Sequence, residues 1–226
     1  MPKIVYIGVD ASGDKGFIAN GPNSVDWFTL VAVTCTDFSQ AITAVKEIDN
    51  LWPPVNGEKR KGKHLRKDWK EVTCILKKYD FRYYLLSNNR KHIHAVITQN
   101  YKQLNFSQFS GNYTIIHDRY AKHGWLVIDT LKKFSYHGFT EVRIDKDLSG
   151  QEWEEYKKQV KIHAETHLGP CDISDSDDNY PLVRIADIIA NFSYGQLKKQ
   201  QTYDVSKLGV VENLDSSKIA VMGYSI

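Results

Sequence analysis

The chain switches between runs of continuous apolar residues and stretches where apolar positions recur every three or four residues. These patterns predict its elements. Residues 4–9, "IVYIGV", form an apolar run of strand length that stops at Asp10, with Ser12, Gly13, Asp14 and Gly16 directly after it. This predicts a strand at about 3–10, made for the middle of a sheet, with glycines that let the backbone turn away from a terminal carboxylate. "DWFTLVAVTC" predicts a second strand at about 26–35, with a short extended piece near 17–20 between them. A helix is predicted at about 38–51. The basic stretch "NGEKRKGKHLRKD" reads as a loop leading into another helix, to about 79. "FRYYLLSN" at 81–88 is an aromatic-rich strand. Residues 112–138 read as a long helix with a glycine stop, and "TEVRID" at 140–145 as a strand. Ser149 and Glu152 have capping-box spacing and open a helix to about 167. "CDISDSD" is a short strand or extended segment. Pro181 suits a first helical turn, and the helix runs to about 199. Strands interleaved with helices of this length predict an α/β architecture with one mixed sheet.

Composition narrows the class. A chain of 226 residues holds one large domain or two small ones. "NGPNS" and "WPPVNG" mark loops, but no repeat or low-complexity linker divides it. The expectation is a single domain over 1–226, with helical insertions around 55–80 and 110–138. Hydrophobic content of 42% and charged content of 25% are those of an ordinary globular protein. The net charge of +3 names no partner. Cys35, Cys74 and Cys171 are scattered without a CxxC pair and read as small buried hydrophobes in a reducing compartment. The first ten residues are too short an apolar run for a signal peptide. No stretch approaches the roughly 18 apolar residues that span a bilayer. The expected setting is cytoplasmic.

Three acids stand out by position. Asp10 and Asp145 each close an apolar strand, and ligand sites in α/β sheets gather at the carboxyl ends of strands. Asp187 lies in "PLVRIADIIANFSYG", which is apolar on nearly every side and so reads as a buried helix. A lone buried carboxylate costs several kcal/mol unless it is paired, hydrogen-bonded or metal-bound. Each has a plain structural explanation: an Asp187–Arg184 pair at i, i+3, a turn-forming Asx role for Asp10, and a strand-end acid before a helix for Asp145. Together they also match a two-metal phosphoryl-transfer site. Mg²⁺ and Mn²⁺ prefer oxygen ligands, and two ions roughly 3.5–4 Å apart clamp an in-line displacement.

The same segments resemble a known family. "YIGVDASGDKGF" looks like the "YIDESG…G" opening of the family called domain of unknown function 3800. "NGEKRKGKHL" resembles its Glu-x-Lys element, carried here by Glu58, and "VRIDKD" its internal strand ending in Asp. "ISDSDDNYPLVRIADIIANFSYG" resembles its closing "dS…plLQlADliAg" segment. The four pieces come in family order over residues 6–195. The resemblance implies a ribonuclease H-like mixed sheet flanked by helices, and metal-dependent phosphodiester chemistry. It makes Asp10, Asp145 and Asp187 the metal ligands, with Mg²⁺ or Mn²⁺ as cofactor, and Glu58 a fourth catalytic acid. Two positions depart from the family: Ala11 replaces its Glu, and Arg184 its Gln. Strand alternation turns Ala11 away from Asp10. The strand at 81–88 ends in Ser87, Asn88 and Asn89, with no acid.

Charge distribution bears on the partner. Lys59, Arg60, Lys61, Lys63, Arg66, Lys67, Lys70, Lys77, Lys78, Arg82, Arg90 and Lys91 are opposed only by Glu58, Asp68, Glu71 and Asp80. Over 172–187 the sign inverts. A basic face beside an acidic pocket suits nucleic acid, DNA or RNA, with Lys59, Lys61, Lys63 and Lys67 on its phosphates; a solvated helix surface gives the same pattern. Trp52, His64 and Trp69 could stack bases, though the tryptophans also read as core. His92 and His94, and His163 and His167, have no further ligand at zinc spacing. No phosphate loop, GxSxG elbow or dinucleotide fingerprint is present. The leading expectation is a metal-dependent nuclease or related phosphodiester-processing enzyme. The alternatives are a non-catalytic nucleic-acid- or protein-binding module on a degenerate scaffold of that fold, and a metal-dependent hydrolase of small phosphoesters.

Overall fold

The computed structural model describes residues 4–13, 27–89, 139–145, 153, 154, 157, 158, 161, 165, 169–176 and 179–198. The expected extended piece at 17–20, the helix at 112–138, the capping-box pair and the four paired histidines lie outside the described residues.

Five strands form one sheet: β1 (Val5–Gly13), β2 (Trp27–Cys35), β3 (Arg82–Asn89), β4 (Thr140–Asp145) and β5 (Cys171–Ser176). Their order is β3-β2-β1-β4-β5. β2 runs antiparallel to both of its neighbours, β1 and β3, while β4 runs parallel to both β1 and β5. This mixed sheet, in this order and with these directions, is ribonuclease H-like. The helices are α1 (Phe38–Leu51), α2 (Gly62–Leu65), α3 (Trp69–Leu76) and α4 (Pro181–Lys198), with a 3₁₀ turn, Arg66–Asp68, between α2 and α3. The described positions between 153 and 165 are helical.

α1 begins where the sequence predicts because Asp37 caps it: Oδ1 accepts the Ser39 N–H at 3.0 Å. Ala41, Ala44, Val45 and Ile48 recur at helical spacing and are buried. The basic stretch differs from the expected loop. Val55 and Glu58 pair across a tight turn, with Asn56 at φ 54° and Gly57 at φ 81°, the signature of a two-residue Asn-Gly hairpin turn. α2 and the 3₁₀ turn follow before α3 starts at Trp69.

β1 also runs past its expected end. β2 pairs with it as far as Gly13, opposite Phe28, whereas β4 leaves it after Val9, opposite Ile144. The polar Asp10 and Ser12 therefore stay in the sheet. The backbone turns only at Gly13, whose φ of 113° suits glycine.

The unbroken register assigns the faces. Val5, Ile7, Val9 and Ala11 point to one face and are buried. Gly8, Asp10 and Ser12 point to the other, which α4 covers. A Cβ on Gly8 would lie 2.4 Å from the Leu182 carbonyl carbon, so α4 rests directly on β1 there. Around that contact Val31, Val33 and Leu85 of the sheet pack with Ile48, Leu65, Val72, Ile185, Ile188 and Ile189. Trp52 and Trp69 are half-buried against this core, and Trp69 stacks on Phe192 with centroids 3.7 Å apart.

Two side-chain readings change. Arg184, 1% exposed, pairs with Asp49 of α1 and not with Asp187. A buried guanidinium needs a counter-charge, and Asp49 of α1 supplies it. Cys35 and Cys171 are buried as expected, but Cys74 is exposed because its position on α3 faces outward. Among the described residues no helix is long and apolar enough to cross a membrane.

Candidate active site

The site is built on the difference in length between β1 and β4. The last parallel pair is Val9 with Ile144, so Asp10 and Asp145 are the next residues in step on adjacent strands. They point to the same face, the one under α4, on strands roughly 4.8 Å apart. Asp145 in turn stands in register with Ser176 of β5. Asp10 is 6% exposed, and its Oδ1 accepts the Ala11 N–H at 2.6 Å. Asp145 is half-buried.

α4 lays Asp187 over this end of the sheet. Its carboxylate accepts the Gly62 N–H at 2.7 Å on Oδ2 and the Asn191 amide at 2.5 Å on Oδ1. Asn191, one turn further along α4, joins three elements. Its Oδ1 accepts from the Ser12 hydroxyl of β1 at 3.3 Å and from Arg66 Nη2 at 3.2 Å. Arg66 Nε also donates to the Asn191 carbonyl at 2.9 Å. Close approach makes this possible: a Cβ on Gly62 would lie 2.7 Å from the Asp187 carbonyl oxygen and from the Ile188 Cα.

The structure thus sets Asp10 and Asp145 side by side and puts Asp187 on the covering helix. Glu58 is exposed on the tight turn, four residues before Gly62. Lys59 is half-buried, while Lys61, Lys63 and Lys67 are exposed on and around α2, the segment whose start Asp187 holds. Gly62 and Asn191 are site residues that pattern-reading passes over, while Ser12 reads only as part of the turn after Asp10 and Arg66 only as one member of the basic run. Asn191 carries one usable signal: it stands four residues after Asp187 on the same helix face.

Among the described residues no group of three His, Cys, Asp or Glu side chains is placed to hold a metal ion. A pair of acids is still compatible with Mg²⁺, which is commonly held by one or two carboxylates and completed by water and substrate phosphates. Asp10 and Asp145 are such a pair.

No family model matches the chain. No curated protein matches it either. Among solved structures it is similar to the ribonuclease H2 of Pyrococcus horikoshii OT3, at 12% identity and a TM-score of 0.48, over 87% of this chain and 74% of that one.

Proposed function

We propose that the chain is a divalent-cation-dependent nuclease or a related enzyme that processes phosphodiesters in nucleic acid, and that it belongs to the family it resembles. The observation that carries this reading is the in-step placement of Asp10 and Asp145 at the ends of two parallel strands, under a helix bearing Asp187. Asp10 and Asp145 would hold the Mg²⁺ or Mn²⁺ ion. Such an ion supplies Lewis-acid stabilisation of the charge on a reacting phosphate.

The remaining work falls to the chain itself. Asp187, by accepting the Gly62 N–H, fixes the start of α2. Lys59, Lys61, Lys63 and Lys67 then present positive charge beside the acids, where a phosphate backbone would lie. Glu58 is the least constrained member of the proposed set, being exposed on its turn. Ala11 is 8% exposed and points away from Asp10, so its departure from the family pattern falls outside this site.

The test is cleavage of labelled DNA and RNA, single- and double-stranded, with Mg²⁺ or Mn²⁺ and with EDTA. The proposal expects cation-dependent cleavage that Asp10→Asn abolishes. Nucleic-acid binding without cleavage of any substrate would favour the non-catalytic module. Cleavage confined to small phosphoesters would favour the third reading.

A further inference from the structure

We propose that Arg66 is a built phosphate-binding residue, positioned by α4 to grip the nucleic-acid backbone beside Asp10. This rests on the nucleic-acid reading above, and names a contact that the basic run alone does not single out.

Three observations separate Arg66 from the lysines around it. First, its guanidinium is fixed. Nε donates to the Asn191 carbonyl at 2.9 Å and Nη2 to the Asn191 Oδ1 at 3.2 Å. Second, the helix is shaped to receive it. Gly195 leaves a notch in α4 against which Arg66 lies: a Cβ there would sit 3.0 Å from both Cδ and Nε of Arg66. The Arg66 Cζ also stands 5.8 Å from the Tyr194 ring centroid, within cation–π range. Third, none of the described residues neutralises its charge. Arginine has five N–H donors, and the two bonds to Asn191 use two. Among the described residues no carboxylate lies within ion-pairing distance of it. A guanidinium held at one edge, with three donors remaining and no counter-charge among the described residues, is suited to a bidentate grip on a phosphate.

The location fits. Asn191 also accepts from Ser12, which is two positions beyond Asp10 on the same face of β1. Two strand positions span roughly 7 Å. Arg66 therefore lies on the Asp10 side of the sheet end, two hydrogen bonds beyond Ser12 through Asn191. Unlike an exposed lysine, it gives up little side-chain freedom when a phosphate arrives, because α4 has already ordered it.

The test is fluorescence anisotropy of labelled single-stranded and duplex oligonucleotides in EDTA, between about 50 and 200 mM salt. It uses the full chain, with thermal melting to confirm folding. Arg66→Gln should weaken binding about tenfold or more and reduce the salt slope by about one. Arg66→Lys, which keeps charge but loses the fork, should recover only part of the loss. Gly195→Ala alters no charge, yet should weaken binding by displacing Arg66 from its notch. If folded Arg66→Gln and Gly195→Ala both bind with the parent's affinity and slope, Arg66 is only a tie between helices and the inference fails, while the nucleic-acid reading survives. A parent chain that binds no oligonucleotide would overturn both.

Discussion

The carboxylate of Asp187 accepts the backbone N–H of Gly62 at 2.7 Å, joining α4 to the start of α2 across 125 positions of sequence. The same carboxylate accepts from the Asn191 amide. Two donors converge on it, and an asparagine has only one acceptor to offer them. Asp187→Asn should therefore cost about 1–3 kcal/mol by leaving a buried donor unmet. Gly62→Ala should cost a similar ~1–3 kcal/mol, because its Cβ meets backbone on α4 and not a movable side chain. Urea denaturation measures both. An Asp187→Asn variant as stable as the parent would show that the Gly62 tie is not a stabilising contact.

Arg184 and Asp49 give an asymmetric expectation. Arg184 is 1% exposed, whereas the Asp49 side chain keeps 24% of its surface. Asp49→Ala strands a buried cation and should cost about 2–4 kcal/mol. Arg184→Met leaves Asp49 to rehydrate at the surface and should cost less, on the order of 1 kcal/mol. Equal losses from the two variants, by the same denaturation measurement, would contradict this account of the pair.

The three thiols should behave differently. Burial, with Asp37 nearby, pushes the Cys35 thiol from its ordinary 9.0 up to about 12, and burial pushes Cys171 up to about 11. Cys74 is exposed. A thiol reagent near neutral pH should label one cysteine quickly in the native protein and three in denaturant. The raised folded pKa has a definite sign. Its contribution to stability is whole below the unfolded value near 9 and is lost as pH rises towards 12. Cys35→Ala should therefore flatten the fall in stability above pH 9. An unchanged alkaline slope would show that Cys35 titrates as freely folded as unfolded.

Much of the fold was legible, and the misses share a cause. α1 and β4 lie where the pattern places them, since a cap at Asp37 and a clean alternation in "TEVRID" are local signals. β1 outran its expected end because hydrogen bonding to β2 holds Asp10 and Ser12 in a strand that their polarity argues against. α4 read as buried, and it is. Its partners were not readable: nothing in "VRIAD" says that Arg184 turns to α1 while Asp187 turns to Gly62. Arg66 and Asn191 were hidden for a similar reason. One looked like any member of a basic run and the other like a neutral residue in an apolar helix; only the packing of α2 on α4 sets them together.

In the proposed function Asp10 and Asp145 act as one unit with a divalent ion on a phosphodiester. A double-mutant cycle in kcat/KM for oligonucleotide cleavage in Mn²⁺ decides it. It would use Asp10→Asn, Asp145→Asn and the double variant, each shown to be folded. Residues that hold one ion fail together, so each single variant should lose at least about 100-fold and the double should be little worse than either. Single variants that cleave at the parent rate, or losses that simply multiply in the double variant, would contradict the account.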